Sequence, residues 1–223
     1  MGLTYRSVLR AAISIWLLSS CFPASGLAAE KTEIDNAWVH VVRVTQAPHE
    51  KSEMQKRPAT VVVYLSALHQ KITDADGKVR DLKKKAGDVA FFQAASDSEE
   101  NVSDEPLEKI VVELKPGSPK TTGWPVKLDP VKLDPQHHPV PIENDRVRVL
   151  RTILDPHVKG PLHEHPSYVV VYLTELHTTM TLGDGRKIDN PRKPGEVAWR
   201  DALKHETENI GDKRAIEIQI ELK

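Results

Sequence analysis

The chain has 223 residues, 39% of them hydrophobic and 28% charged, with 31 Lys+Arg against 32 Asp+Glu for a formal net charge of -1. That composition excludes a collagen, a coiled coil and a wholly disordered chain. Near-neutral charge and 5% aromatics give neither an electrostatic nor a stacking argument for nucleic acid as a partner.

The first element, residues 1–29, reads as a signal segment. Arg6 and Arg10 make a basic start, residues 11–18 are apolar, and residues 24–29 are rich in small side chains. The apolar run is shorter than the roughly 20 residues that span a bilayer, and no later stretch approaches that length. The expected product is therefore exported, periplasmic or secreted, with no transmembrane helix in the mature chain. Two processing routes fit. Ordinary cleavage would fall near Ala28 and Ala29, whereas Leu18-Ser19-Ser20-Cys21 resembles a lipobox that would place a lipid anchor on Cys21. Cys21 is the only cysteine, so the folded part has no internal disulfide. Loss of Arg6 and Arg10 moves the net charge from -1 to -3.

The remainder is one unit written twice. At a constant offset of about 108 residues, Ile34 faces Ile142, Pro48-His49 faces Pro156-His157, and the run from Val61 to Leu65 faces that from Val169 to Leu173. Leu68-His69 then meets Leu176-His177, Gly87 meets Gly195, and Glu113-Leu114-Lys115 lies over Glu221-Leu222-Lys223. About 32 of about 82 gap-free positions are identical, far beyond chance. The organisation expected is a first domain over 30–115, a proline-rich linker over 116–141, and a second domain over 142–223. So many prolines leave the linker extended and lying against the domains. His137 and His138 within it read as a surface pair.

Each unit reads as closely spaced short strands. In the second, strands are expected over 147–154, 168–173, 177–182, 196–199, 205–209 and 215–222. Gly183-Asp184-Gly185 supplies a tight hairpin. Ile216, Ile218, Ile220 and Leu222 alternate with Glu217, Gln219 and Glu221, the pattern of a half-buried strand. No stretch has a sustained helical period. The fold class is all-β, with a small barrel or jelly roll in each unit.

Chemistry is concentrated in the second unit. Gly160-Pro161-Leu162-His163-Glu164-His165 puts two imidazoles on one strand face. Pro194-Gly195 follows, and then His205 with Asn209 four residues on. These motifs resemble the cupin superfamily, whose first motif carries His-x-His and whose second carries a further histidine and an asparagine. The resemblance covers both repeats and implies two tandem cupin (jelly-roll β-barrel) domains. It implies that His163, His165 and His205 ligate a divalent transition metal, with Gly195 and Asn209 in structural roles. Where the family carries a glutamate ligand, the chain has Val169 or Val170. Strand parity with 163 and 165 favours Val169 as the residue facing the site. Three histidines suit iron, nickel, copper, zinc or manganese, and the missing carboxylate leaves positions open to water or substrate.

The repeat is its own control. His163, His165 and His205 face Gln55, Arg57 and Asp97, so the first unit is expected to be a degenerate scaffold. His157 and His177 face His49 and His69, which points to packing or hydrogen bonding. Tyr168 and Trp199 read as core or rim aromatics, and Arg200 and Lys204 as solvated. Three functions follow: a metal-dependent oxygenase or isomerase on a small organic molecule, a non-enzymatic metal or small-ligand module of the cell envelope, or an idle structural bicupin. An enzyme needs a small-molecule cavity over the triad. An idle barrel would have it closed, with Val169 and Tyr168 foremost. A homo-oligomer is compatible with all three.

Overall fold

The computed structural model describes residues 29–117 and 124–223. Residues 1–28, which hold Cys21 and all but the last residue of the expected signal segment, lie outside the described residues. The first copy of the repeat runs β1 (Ala29–Asp35), β2 (Val39–Gln46), β3 (Gln55–Arg57), β4 (Thr60–Tyr64), β5 (Leu68–Asp74), β6 (Val79–Lys84), β7 (Val89–Phe92), β8 (Ala95–Asn101) and β9 (Leu107–Leu114). After a one-turn helix, α1 (Pro130–Leu133), the second runs β10 (Ile142–Glu143), β11 (Val147–Leu154), β12 (His163–His165), β13 (Tyr168–Tyr172), β14 (Leu176–Leu182), β15 (Lys187–Arg192), β16 (Val197–Arg200), β17 (Leu203–Asn209) and β18 (Ala215–Leu222). Each copy forms a five-stranded sheet, β1-β2-β9-β4-β7 or β10-β11-β18-β13-β16, against a four-stranded one, β3-β8-β5-β6 or β12-β17-β14-β15. The two strand orders are the same, position for position, as the duplication requires. Among the described residues no helix is long and apolar enough to cross a membrane.

Period-2 geometry sends alternate side chains of the five-stranded sheets to two different cores. Val61 and Val63 of β4 and Val169 and Val171 of β13 point between the barrels. There they join Val39, Val41, Ile110, Val112, Val147, Val149, Ile218 and Ile220 in one cluster. Val62 and Tyr64 fill the interior of the first barrel, and Tyr168, Val170 and Tyr172 that of the second. Reciprocal contacts seal the junction: the Arg43 guanidinium donates to Gly195 O (2.6 Å) and the Arg151 guanidinium to Gly87 O. Both glycines have φ near +84°, which a side chain would strain.

Three expectations change here. The polar residues of β18 do not face solvent, because the sheet is covered on both sides. Its isoleucines serve the inter-barrel cluster, while Glu217, Gln219 and Glu221 point into the second barrel. Of these, Gln219 and Glu221 are buried. Parity does not carry from His165 to Val169 either, because Pro166 and Ser167 separate β12 from β13. Val170, not Val169, therefore faces the histidines. Finally, β15 is a strand without a strand signal, because Lys187–Arg192 is polar and contains Pro191; it is an edge strand, where proline is tolerated.

The described part of the linker, residues 124–141, lies against the second barrel, as its prolines suggest, but is more ordered than an extended spacer. Asp129 caps α1 by accepting from Val131 N (3.0 Å), with Pro130 opening the helix. Further on, Ile153 N donates to His137 O (3.0 Å) and Arg151 N to Pro139 O (2.9 Å). Residues 137–143 therefore take the edge position that Ala29–Asp35 takes in the first barrel, at the same 108-residue offset. Pro139 fits because it meets β11 through its carbonyl oxygen and needs no N–H there.

Candidate metal centre

Strand β12 is short, and its His163 pairs directly opposite His205 of β17. His165, two residues along, shares its face. The three imidazoles are each at most 4% exposed, and their ligand nitrogens all lie within 4.8 Å of one another. Ring centroids are 4.6 to 5.3 Å apart, edge to face.

Hydrogen bonds fix the tautomers by the nature of their acceptors. His163 donates from Nδ1 to Pro161 O (2.7 Å), leaving a lone pair on Nε2. His165 donates from Nδ1 to Glu221 Oε1 (2.8 Å), and its Nε2 is buried with no partner. His205 Nε2 lies 3.0 Å from His163 Nε2, while its Nδ1 is buried without a partner. These two Nε2 atoms are close enough that one ion would be held by both. Two basic nitrogens aimed inward, a third beside them and an acidic group behind one ligand form a donor set that fits a divalent transition metal.

Electrostatics agree with that fit. Burial drives the His163 pKa down to about 3, assisted by the neighbouring His165, and burial likewise brings His165 down to about 3. Burial and the other two imidazoles push His205 well below the ordinary range. All three are thus neutral at pH 7, the form that ligates. Burial raises the Glu221 carboxyl even though Arg148 opposes it. Arg148 Nε donates to Glu221 Oε2 (2.6 Å), and Arg148 Nη1 reaches both oxygens of Asp129 (3.0 and 3.0 Å).

Several residues of the site are not legible as such in the sequence. His138 is not on the surface: it is 2% exposed, donates from Nδ1 to Asp134 O (3.0 Å) and stands 5.4 Å from the His163 ring. Its neighbour His137 is held by Asp134 (2.8 Å). Arg200 is not solvated but reaches Asn190 Oδ1 (3.2 Å) and Tyr172 OH (3.4 Å) on the cavity wall. Tyr168 lies 5.0 Å from the His165 ring, whereas Trp199 packs between the barrels. Lys204 is exposed as expected, and Glu164 and Glu206 face away from the triad onto linker amides and Lys159. Asn209 ties Leu154 O, Asp155 O and Lys213 O together, as Asn101 ties Ala47 O and Glu105 O in the first barrel. His157 and His49 share a turn, with φ of +60° and +58°, and pair with Asp212 and Asp104. His69 bonds Asp81. The cavity beside His163 and His205 measures about 30 Å³, room for about two waters. Tyr168 and Val170 line it and Val169 does not.

Two jelly-roll barrels in tandem, joined through their larger sheets and with a buried histidine cluster in the second, define a bicupin fold. Solved structures agree. The fold is similar to AerE from Microcystis aeruginosa, with a TM-score of 0.61 and 13% identity over 90% of this chain and 100% of that one. It is also similar to oxalate decarboxylase from Lactobacillus farciminis in its formate complex (TM-score 0.59, 15% identity, 86% of this chain and 80% of that one). A single-substitution variant of oxalate decarboxylase from Bacillus subtilis matches at a TM-score of 0.59 and 15% identity, over 86% of this chain and 71% of that one. No known family profile matches the chain, nor does any curated protein.

Proposed function

We propose that the second barrel is a three-histidine metal centre and that the protein is an exported metal-binding bicupin. His163, His165 and His205 hold a divalent ion from the iron, manganese, nickel, copper and zinc group. The observation that carries the reading is the inward Nε2 of His165: it is buried without a partner while Glu221 holds the opposite nitrogen. A bound ion would supply Lewis acidity or oxygen activation at the positions the absent carboxylate leaves open. The chain's own residues do the rest. Glu221 orients His165, Pro161 O orients His163, and Tyr168 and Val170 wall the cavity against water. Gln219 Oε1 and Thr152 Oγ1, buried without partners, offer hydrogen-bonding sites on what enters.

The size of the cavity favours a second reading beside the oxygenase or isomerase, a metal-storing or small-ligand module. A space of about 30 Å³ admits a ligand of two or three heavy atoms in this conformation. Formate, named with one of the structural neighbours, has three heavy atoms and is the first ligand to assay, whereas oxalate, with six, would need the cavity to widen.

The test is metal content by elemental mass spectrometry on mature, tag-free protein beside a His163→Ala/His165→Ala variant. Near-stoichiometric metal in the first and none in the second is the expected result. No metal in either, even after reconstitution, overturns the reading. N-terminal sequencing and mass of the exported product test the location and the Cys21 anchor.

A further inference from the structure

The linker reaches two of the three triad histidines, His163 through the His138 ring and His165 through a polar chain. A chain of buried polar contacts runs from the linker to a ligand: Asp129 to Arg148, Arg148 to Glu221, Glu221 to His165. Its links measure 3.0, 2.6 and 2.8 Å, and Arg148 and Glu221 are 4% and 0% exposed. A buried ion pair of this kind is poor evidence of stabilisation, since desolvation costs offset the attraction; its rigid geometry is the stronger reason to have it. The same linker sets the His138 ring against His163. It is pinned to β12 itself, because Glu164 N donates to Leu128 O (2.8 Å) and the Glu164 carboxylate accepts from Lys127 N and Leu128 N. Trp124 covers the outer face of Arg148, 4.6 Å from its guanidinium carbon.

The first barrel shows what the chain looks like where no histidine site exists. At the positions of Arg148 and Glu221 it has His40 and Glu113, paired at 2.9 Å but about a third and a quarter exposed. That pair ends at the surface. In the second barrel the pair is roofed by the linker and aimed at a ligand.

We propose that Asp129 is a positioning residue of the metal centre, acting through Arg148 and Glu221 on His165, so that the linker is a structural part of the site. The inference rests on the metal reading above. Metal affinity then depends on linker docking. Loss of the Asp129 charge frees Arg148 to swing, lets Glu221 turn, and leaves the His165 ring free to rotate.

The experiment titrates the full mature chain with Co²⁺ by chelator competition and records its visible absorption. Asp129→Asn keeps the cap on α1, since asparagine caps as well as aspartate, but removes the charge. It should weaken Co²⁺ binding by about tenfold or more and alter the ligand-field bands, as loss of an outer partner does at metal–histidine sites. Glu221→Gln should weaken binding by about ten- to a hundredfold. The double variant should bind no more weakly than Glu221→Gln alone, because both act along one chain. Asp134→Asn, which perturbs the same linker at His137 and does not touch Arg148, should leave affinity and spectrum unchanged. Wild-type affinity in Asp129→Asn, an equal loss in Asp134→Asn, or multiplying losses in the double variant would each overturn the proposal. A wild-type chain that binds no Co²⁺ overturns the metal reading, and the proposal with it.

Discussion

The two barrels share a backbone plan and differ in how their interiors settle charge. Where the second has His163, His165 and His205, the first has Gln55, Arg57 and Asp97, with Arg57 Nε on Asp97 Oδ1 at 3.1 Å. Deeper in, Lys109 is 2% exposed and its ammonium sits 2.5 Å from Glu99; the corresponding residues in the second barrel are Glu217 and Thr207. Burial works to raise the Glu99 carboxyl, but Lys109 and Arg57 more than offset it and hold it low. Glu221 in the second barrel is left raised by burial. The first barrel thus carries its own cations, whereas the second presents neutral nitrogens and a desolvated carboxyl that an external cation would relieve. An interior is a metal site only when the protein leaves its charge balance open.

That contrast can be broken most sharply at neighbouring valines. Val169→Glu places a carboxylate in the shared cluster between the barrels, with no partner, and should destabilise the fold by several kcal/mol, enough to prevent folding. Val170→Glu places the same group beside the triad, and should fold and hold metal more tightly. Circular dichroism and metal content read both. Lys109→Met removes the built-in cation of the first barrel and leaves Glu99 uncompensated. We expect a loss of about 3–5 kcal/mol in urea unfolding, with metal binding in the second barrel intact.

Acid sharpens the contrast on the other side. In metal-free protein His163 and His165 stay neutral down to about pH 3, whereas unfolded histidine protonates near 6.5. The unfolded state therefore binds more protons below about pH 6.5, so stability is full above that value and falls toward pH 3. The slope is up to about 1.4 kcal/mol per pH unit for each histidine. A His163→Gln/His165→Gln variant should show a visibly shallower fall between about pH 6.5 and 4.5, and an unchanged slope would contradict the burial. The smallest effect tests what the barrels have in common. His49→Gly and His157→Gly relieve the same left-handed turn and should each raise stability by about 0.5 kcal/mol, equally in both halves, by thermal melts.

The fold and the triad are legible because both are written locally: the Val-rich runs and the 108-residue repeat give the barrels, and His-x-His with His205 gives the cluster. What cannot be read depends on tertiary cover. Glu221 and Gln219 look solvated in any alternation rule, since nothing in the strand says that a second barrel lies across its apolar face. His138 is masked by the prolines around it, which argue against a strand unless one knows that His137 and Pro139 meet β11 through their carbonyl oxygens. Val170 is hidden by the break at Pro166-Ser167, which resets the parity. Arg148 and Asp129 are ordinary charges until the linker folds back.

The cluster of valines and isoleucines between the barrels has a consequence for how the two halves divide their labour. Packed through equivalent faces, they are arranged as a symmetric dimer of separate chains would be. In such a dimer every substitution appears twice, so a site cannot be lost on one side and kept on the other. Fusion into a single polypeptide removes that constraint and holds the partner at a high effective concentration. One half is then free to give up ligands for internal ion pairs, provided its apolar sheet face is kept. Its remaining task is to be the solvent-excluding wall behind β18, without which Glu217, Gln219 and Glu221 would have no reason to face inward.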